Sequence, residues 1–117
     1  MIPVGIEHRD DGVTVLSPAG RLTIGPSLAA LAEAIEETCR EAVPRVVLDL
    51  GGVTYVDSAA LGEIVAARRR VLAAGGAFAV ARPRGKVRDL LDLTRLGDLV
   101  VVRESLRDAA RAVLPSC

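Results

Sequence analysis

The sequence predicts an α/β fold: a mostly parallel, mixed β-sheet with an N-terminal hairpin and about four helices, in a single domain over residues 1–117. Three observations predict it. Short apolar runs alternate with segments of helical periodicity, which implies parallel strands joined by helical crossovers. An Asp11-Gly12 turn signal lies between two strand-like segments at the start, which adds an antiparallel hairpin. The chain has 117 residues, 50% of them hydrophobic, which suits one globular core.

The elements follow in order. Val4 to His8 reads as a strand, Arg9-Asp10-Asp11-Gly12 as its turn, and Val13 to Pro18 as the returning strand, with Ala19 to Thr23 leading out. Pro26 suits the first turn of a helix, where its missing N–H does no harm. Leu28, Leu31, Ile35 and Cys39 recur at helical spacing, and Pro44 stops that helix. Val46-Val47-Leu48-Asp49-Leu50 suits a buried parallel strand. Residues 51–56 read as a connection, and Asp57 or Ser58 as the cap of the next helix. That helix turns Leu61, Ile64, Val65 and Leu72 to the core and ends at Gly75-Gly76. Ala77 to Ala81 is a strand; Val87, Leu90, Leu91 and Thr94 mark a third helix that ends near Gly97. Leu99 to Val102 is the last strand, and Ser105 with Asp108 opens an amphipathic last helix.

Composition excludes several functions. Fifteen basic and fifteen acidic residues cancel, which speaks against non-specific nucleic-acid binding and against a polybasic membrane anchor. Tyr55 and Phe78 are the only aromatic residues, too few for a base-stacking platform. No apolar run nears the roughly 20 residues of a membrane span. The start, Met-Ile-Pro-Val-Gly-Ile-Glu-His, lacks a signal-peptide pattern, so a cytoplasmic location is expected. Cys39 and Cys117 are too few for a disulfide framework or a zinc cage; Cys39 is expected to be buried and Cys117 mobile.

No enzyme chemistry is legible. His8 is the single histidine and sits in a strand, and Ser58 lacks the flanking glycines of a nucleophile elbow. Gly51-Gly52 is not followed by Gly-Lys-Ser/Thr, so it reads as a tight turn and not as a phosphate loop. Asp10-Asp11 and Glu36-Glu37 read as solvated surface, and Arg68-Arg69-Arg70 spread around a helix at about 100° per residue. No cofactor or metal site is expected.

Val53-Thr54-Tyr55-Val56-Asp57-Ser58-Ala59-Ala60-Leu61-Gly62-Glu63 stands apart. It puts a hydroxyl after an acid at a helix start, where free N–H groups and a partial positive charge lie. Such a place accepts a phosphate on Ser58 without unfolding the helix, and it equally suits a plain N-cap.

This segment, with Val47-Leu48-Asp49-Leu50 before it, resembles the V-D-L-S-x-V-x-x-I-D-S-S-G-L-G pattern of STAS domains, the family of bacterial anti-sigma factor antagonists. Gly20-Arg21-Leu22 resembles the family's G-x-L-D, and the likeness runs from about Val4 to Val113. The resemblance implies a binding module and no enzyme. It implies that Ser58 is phosphorylated by an anti-sigma factor serine kinase with a histidine-kinase-like ATP fold. The unphosphorylated form binds that kinase and frees a sigma factor, and a metal-dependent serine phosphatase resets the cycle. Neither nucleic-acid binding nor direct membrane insertion is implied. The implied partner-binding residues are Thr23, Thr54, Tyr55, Asp57, Ser58, Ala59, Gly62 and Glu63. The exposed face of the following helix, with Glu63, Ala66, Ala67 and Arg70, is expected to join them. Ala59 replaces the second serine of the pattern, Ala60 its glycine, and Thr23 the usual acid. The alternative is a STAS accessory subunit of a bacterial lipid or anion transporter, docking through the same loop and helix.

Overall fold

The computed structural model describes residues 4–115. Strand β1 (Val4–His8) and strand β2 (Thr14–Pro18) form the expected hairpin, closed by a turn in which Asp11 Oδ1 accepts the Val13 N–H. Strands β4 (Arg45–Asp49), β6 (Ala77–Ala81) and β7 (Val101–Arg103) extend it into a five-stranded sheet of order β1-β2-β4-β6-β7. Only the β1–β2 pairing is antiparallel; β2, β4, β6 and β7 run parallel.

Two short strands join what had read as connecting segments. Strand β3 (Gly20–Leu22) pairs in parallel with strand β5 (Val53–Val56), forming a separate two-stranded sheet. The register shifts after Gly20, so that Arg21 lies opposite Tyr55 and Leu22 opposite Val56. Each strand carries too few alternating residues for a period of two to stand out. Their inward side chains, Leu22, Val53 and Val56, are nevertheless buried in the main core.

The helices follow from apolar spacing. Helix α1 (Pro26–Thr38), helix α2 (Ser58–Ala73) and helix α3 (Gly85–Leu93) cover one face of the large sheet. Leu31 and Ile35, Ile64 and Val71, and Val87 and Leu91 meet Leu16, Val46, Leu48 and Val80 there. Alternation sends Val13, Val15, Val47, Ala79 and Ala81 to the other face. Helix α4 (Leu106–Val113) closes that face with Ala109, Ala110 and Val113. Ser105 caps α4 as its sequence indicated, its Oγ accepting the Asp108 N–H at 3.0 Å.

Some expectations shift. Helix α1 ends at Thr38, ahead of Pro44, and Cys39 is half-buried rather than buried. Cys117 lies outside the described residues. Helix α3 stops at Leu93, and Leu96–Asp98 form a separate 3₁₀ turn. Leu99 and Val100 continue that turn by donating to the Leu96 carbonyl, so the last strand starts at Val101 and not at Leu99. On α2, Leu72 is exposed and Ala67 is buried, the reverse of expectation. The buried stripe runs through Ala60, Ile64, Ala67 and Val71, at i, i+4, i+7 and i+11. Small alanines let α2 lie close to the core, and a reading weighted toward large side chains passes over them. No helix among the described residues is long and apolar enough to cross a membrane.

Candidate functional site

Each parallel strand that enters a helix does so at the same end of the sheet, so this end gathers the helix N-termini. Ser58 stands here as the first residue of α2, with its side chain exposed. Asp57 precedes it in an extended conformation (φ −103°, ψ −178°), which turns the chain from β5 into the helix. Its Oδ1 accepts the Ala60 N–H at 2.8 Å and so caps α2. Its Oδ2 accepts the Ile24 N–H at 2.9 Å, from the loop between β3 and α1. One carboxylate thus ties two segments that lie far apart in sequence.

The Ile24 amide, and then the Ala60 amide, hold the Asp57 carboxyl below its ordinary 3.8. A depressed folded value stabilises the fold above the unfolded value and loses that effect as pH falls through the folded one. Asp57→Ala is therefore expected to melt below the wild type at pH 7. The gap should close as the pH drops well below 4, read by thermal denaturation across a pH series.

The loop around Ile24 is fixed from its other side too. The Ser27 hydroxyl donates to the Thr23 carbonyl at 3.1 Å, and Ser27 Oγ accepts the Thr23 N–H at 3.2 Å. Gly25 follows at φ 120°, a left-handed value suited to glycine, and Pro26 opens α1. On the outer side of the small sheet the Arg21 guanidinium lies over the Tyr55 ring, 4.6 Å from its centroid.

The structure brings together most of the residues that the sequence singled out. Asp57 bonds Ile24, the neighbour of Thr23, and Ser58 and Ala59 follow Asp57 in the first turn of α2. Thr54 is exposed and Tyr55 half-buried on β5, directly before them. Gly62 lies one turn after Ser58 on the same face of α2, exposed, and a Cβ there would meet nothing within 4 Å. Glu63 points partly inward: its Oε2 is buried without a hydrogen bond, and Arg70 Nη1 stands 3.9 Å away. Ala66 is half-buried, and Ala67 is 1% exposed and cannot present a surface. His8 is exposed on β1, with Nδ1 3.3 Å from Thr14 Oγ1. Among the described residues no three of His, Cys, Asp and Glu gather closely enough to hold a metal ion.

Sequence reading missed three features. Ile24, its N–H bound to Asp57, is 77% exposed, against the usual fate of isoleucine. Arg21 was noted only as part of a motif. The third is an ion pair at the ends of β4 and β6: Arg82 Nε and Nη2 donate to Asp49 Oδ1 and Oδ2 at 3.0 and 2.9 Å. Burial alone would raise the Asp49 pKa, but Arg82 and the Gly51 N–H outweigh it and hold the carboxyl low. Asp49 Oδ1 accepts that Gly51 N–H at 2.9 Å, and Arg84 Nη2 donates to the Gly51 carbonyl at 2.8 Å. A Cβ on Gly51 would lie 2.6 Å from the Arg82 guanidinium and would displace it from Asp49. A signal existed: an aspartate inside an apolar run has to find a partner.

Comparison with known proteins places this arrangement. The model of the STAS domain matches residues 7–109. A Thermotoga maritima protein provisionally named an anti-sigma factor antagonist is 29% identical over 103 residues, covering 88% of this chain and 91% of the relative. A crystal structure from Thermotoga maritima, under the same provisional name, superposes with a TM-score of 0.81 at 28% identity, over 94% of this chain and 93% of that one. The crystal structure of an anti-sigma factor antagonist from Mycobacterium paratuberculosis gives 0.79 at 31% identity, over 97% and 94%. The family model spans most of the chain and the fold agrees with it, and the chain belongs to the STAS domain family.

Proposed function

We propose that this chain is an anti-sigma factor antagonist, a binding module and not an enzyme, switched by phosphorylation of Ser58. In its unphosphorylated form it captures an anti-sigma factor, a serine kinase with a histidine-kinase-like ATP fold, and so releases a sigma factor in the cytoplasm. A metal-dependent serine phosphatase returns it to the binding form. ATP belongs to the kinase, so no nucleotide loop is needed here. The docking surface comprises Thr23, Thr54, Tyr55, Asp57, Ser58, Ala59, Gly62 and Glu63.

One observation carries this reading. Ser58 is exposed at the first position of a helix whose cap, Asp57, is fully engaged with backbone amides, in a chain whose relatives are named as antagonists. The hydroxyl is free for modification while the helix start is held by its neighbour. Gly62 supports it: a mid-helix glycine costs about 1 kcal/mol against alanine, and nothing in the fold needs the missing Cβ. The open space beside Ser58 lets a partner approach closely.

The switch follows from charge. A phosphate adds about −1.5 to −2 charges beside the Asp57 carboxylate, where desolvation at an interface and like-charge repulsion both oppose docking. About 2.7 kcal/mol suffices for a hundredfold loss of affinity. Ser58→Asp is expected to weaken binding of the anti-sigma factor about a hundredfold, and Ser58→Ala to keep it. Pull-down with mass spectrometry, then titration calorimetry on the recovered partner, measures both. Equal affinity for wild type and Ser58→Asp would sink the switch. Equal capture of a membrane transporter by both would move the function to a transporter accessory subunit.

A further inference from the structure

An exposed isoleucine means little by itself; Ile6, Leu93 and Leu99 are also exposed. Ile24 differs in how it is held. Its own N–H is bound to Asp57, and the preceding Thr23 is bonded to Ser27 through both backbone groups. The side chain is thus displayed on a fixed loop, and little ordering cost remains when a partner covers it. Arg21 lies on the adjoining β3, its guanidinium over the Tyr55 ring. Among the described residues its guanidinium makes no ion pair and no side-chain hydrogen bond, unlike Arg9, Arg40, Arg82, Arg88 and Arg95. Stacking occupies the face of the guanidinium and leaves its N–H edge for a bidentate carboxylate. Asp57 makes no hydrogen bond or ion pair with it, its carboxylate facing the Ile24 and Ala60 amides instead.

We propose that Arg21, stacked on Tyr55, and Ile24 form the specificity-determining patch of the docking surface, and that the anti-sigma factor meets them with a carboxylate beside an apolar pocket. The proposal rests on the reading of this chain as an antagonist and adds the chemistry of the partner's surface. Arginine and tyrosine are among the residues that concentrate binding energy at interfaces, and an aliphatic side chain seated in a pocket adds buried apolar area. Their charge complement on the partner is negative, so part of the affinity has to be salt-dependent.

The test uses the anti-sigma factor recovered with the wild-type chain and identified as such. Titration calorimetry compares wild type, Arg21→Glu, Ile24→Asp, Ser58→Asp and Leu99→Asp at low and high salt, with circular dichroism melts to confirm folding. Arg21→Glu and Ile24→Asp are each expected to lose at least tenfold in affinity, and Leu99→Asp, at another exposed aliphatic residue outside the patch, less than twofold. Arg21→Ala is expected to flatten the salt dependence. If Ser58→Asp weakens binding while Arg21→Glu and Ile24→Asp bind as wild type, the patch is wrong and the antagonist reading stands. If the wild type binds no anti-sigma factor, or Ser58→Asp binds as tightly as it does, the reading itself falls and takes the patch with it.

Discussion

Replacing Arg82 by leucine is expected to destabilise the fold by about 2–3 kcal/mol at neutral pH. Removing one partner of a buried pair costs about 3–5 kcal/mol. The Arg82 side chain is 41% exposed, so part of that is screened by water. What remains is the Asp49 carboxylate, 5% exposed and left with the Gly51 N–H. The sign against pH is fixed. Asp49 is held below its ordinary 3.8 in the folded chain, so its contribution is present above the unfolded value and is lost as pH falls through the folded one. In Arg82→Leu, burial is opposed by the Gly51 N–H but no longer by a guanidinium, so the carboxyl rises from its wild-type value. The gap between wild type and variant should be full at pH 7 and shrink toward pH 3. Urea unfolding of both proteins across that range measures it. A gap that does not change with pH would mean that Arg82 acts through packing and not through Asp49. Arg82→Lys, which keeps the charge but loses the two-pronged contact, should fall between them.

The same pair reaches toward the candidate site. Arg82 sits at φ 57°, a left-handed value that costs a non-glycine residue about 1 kcal/mol. The two bonds to Asp49 hold it there. Asp49 and Arg84 in turn grip Gly51 by its N–H and its carbonyl, and Gly51 opens the segment that becomes β5, Asp57 and Ser58. Loosening the grip frees the base of the proposed docking loop. Arg82→Leu should therefore also weaken partner binding, although Arg82 is not placed among the docking residues.

How much of this was legible depends on the physics behind each element. The parallel sheet was readable because β4 and β6 are continuous apolar runs, and burial on both faces demands that. The start of α2 was readable because capping is local: Asp57 bonds the amide of Ala60, three residues on. The second bond of Asp57, to Ile24, was not, because it joins residues brought together only by the β3–β5 pairing. The small sheet escaped for the same reason. Its strands carry three and four residues, and their pairing depends on the large sheet holding both in place. The face of α2 was half readable. Ile64 was placed correctly, but Ala67 outweighs Leu72 in the core because the close approach of α2 selects small residues. Ile24 gave no signal at all, since hydrophobicity predicts burial and this residue is displayed.

Gly76→Ala is expected to be at least as damaging as Arg82→Leu, about 3 kcal/mol or more, while Gly75→Ala costs about 1 kcal/mol. The two glycines end α2 together and read from sequence as one signal, yet they serve different ends. Gly75 takes φ 84° and donates to the Leu72 carbonyl at 3.0 Å, and Gly76 donates to the Val71 carbonyl at 2.9 Å. That is the paired bonding of a left-handed helix terminus, and only Gly75 needs the positive φ. A Cβ on Gly75 would meet nothing within 4 Å, so its substitution costs backbone strain alone. Gly76 has no unusual φ but no room. A Cβ there would lie 1.8 Å from the Pro44 carbonyl oxygen, which also accepts the Ala77 N–H at 3.0 Å. Backbone atoms on both sides must move, and those atoms lead into β4 and β6, the centre of the large sheet. Relief therefore disturbs the β4–β6 register, which starts at Arg45 opposite Ala77. Thermal and urea melts of the two single variants separate the effects. A Gly76→Ala protein no less stable than Gly75→Ala would show that the approach of Pro44 to α2 is looser than the structure has it.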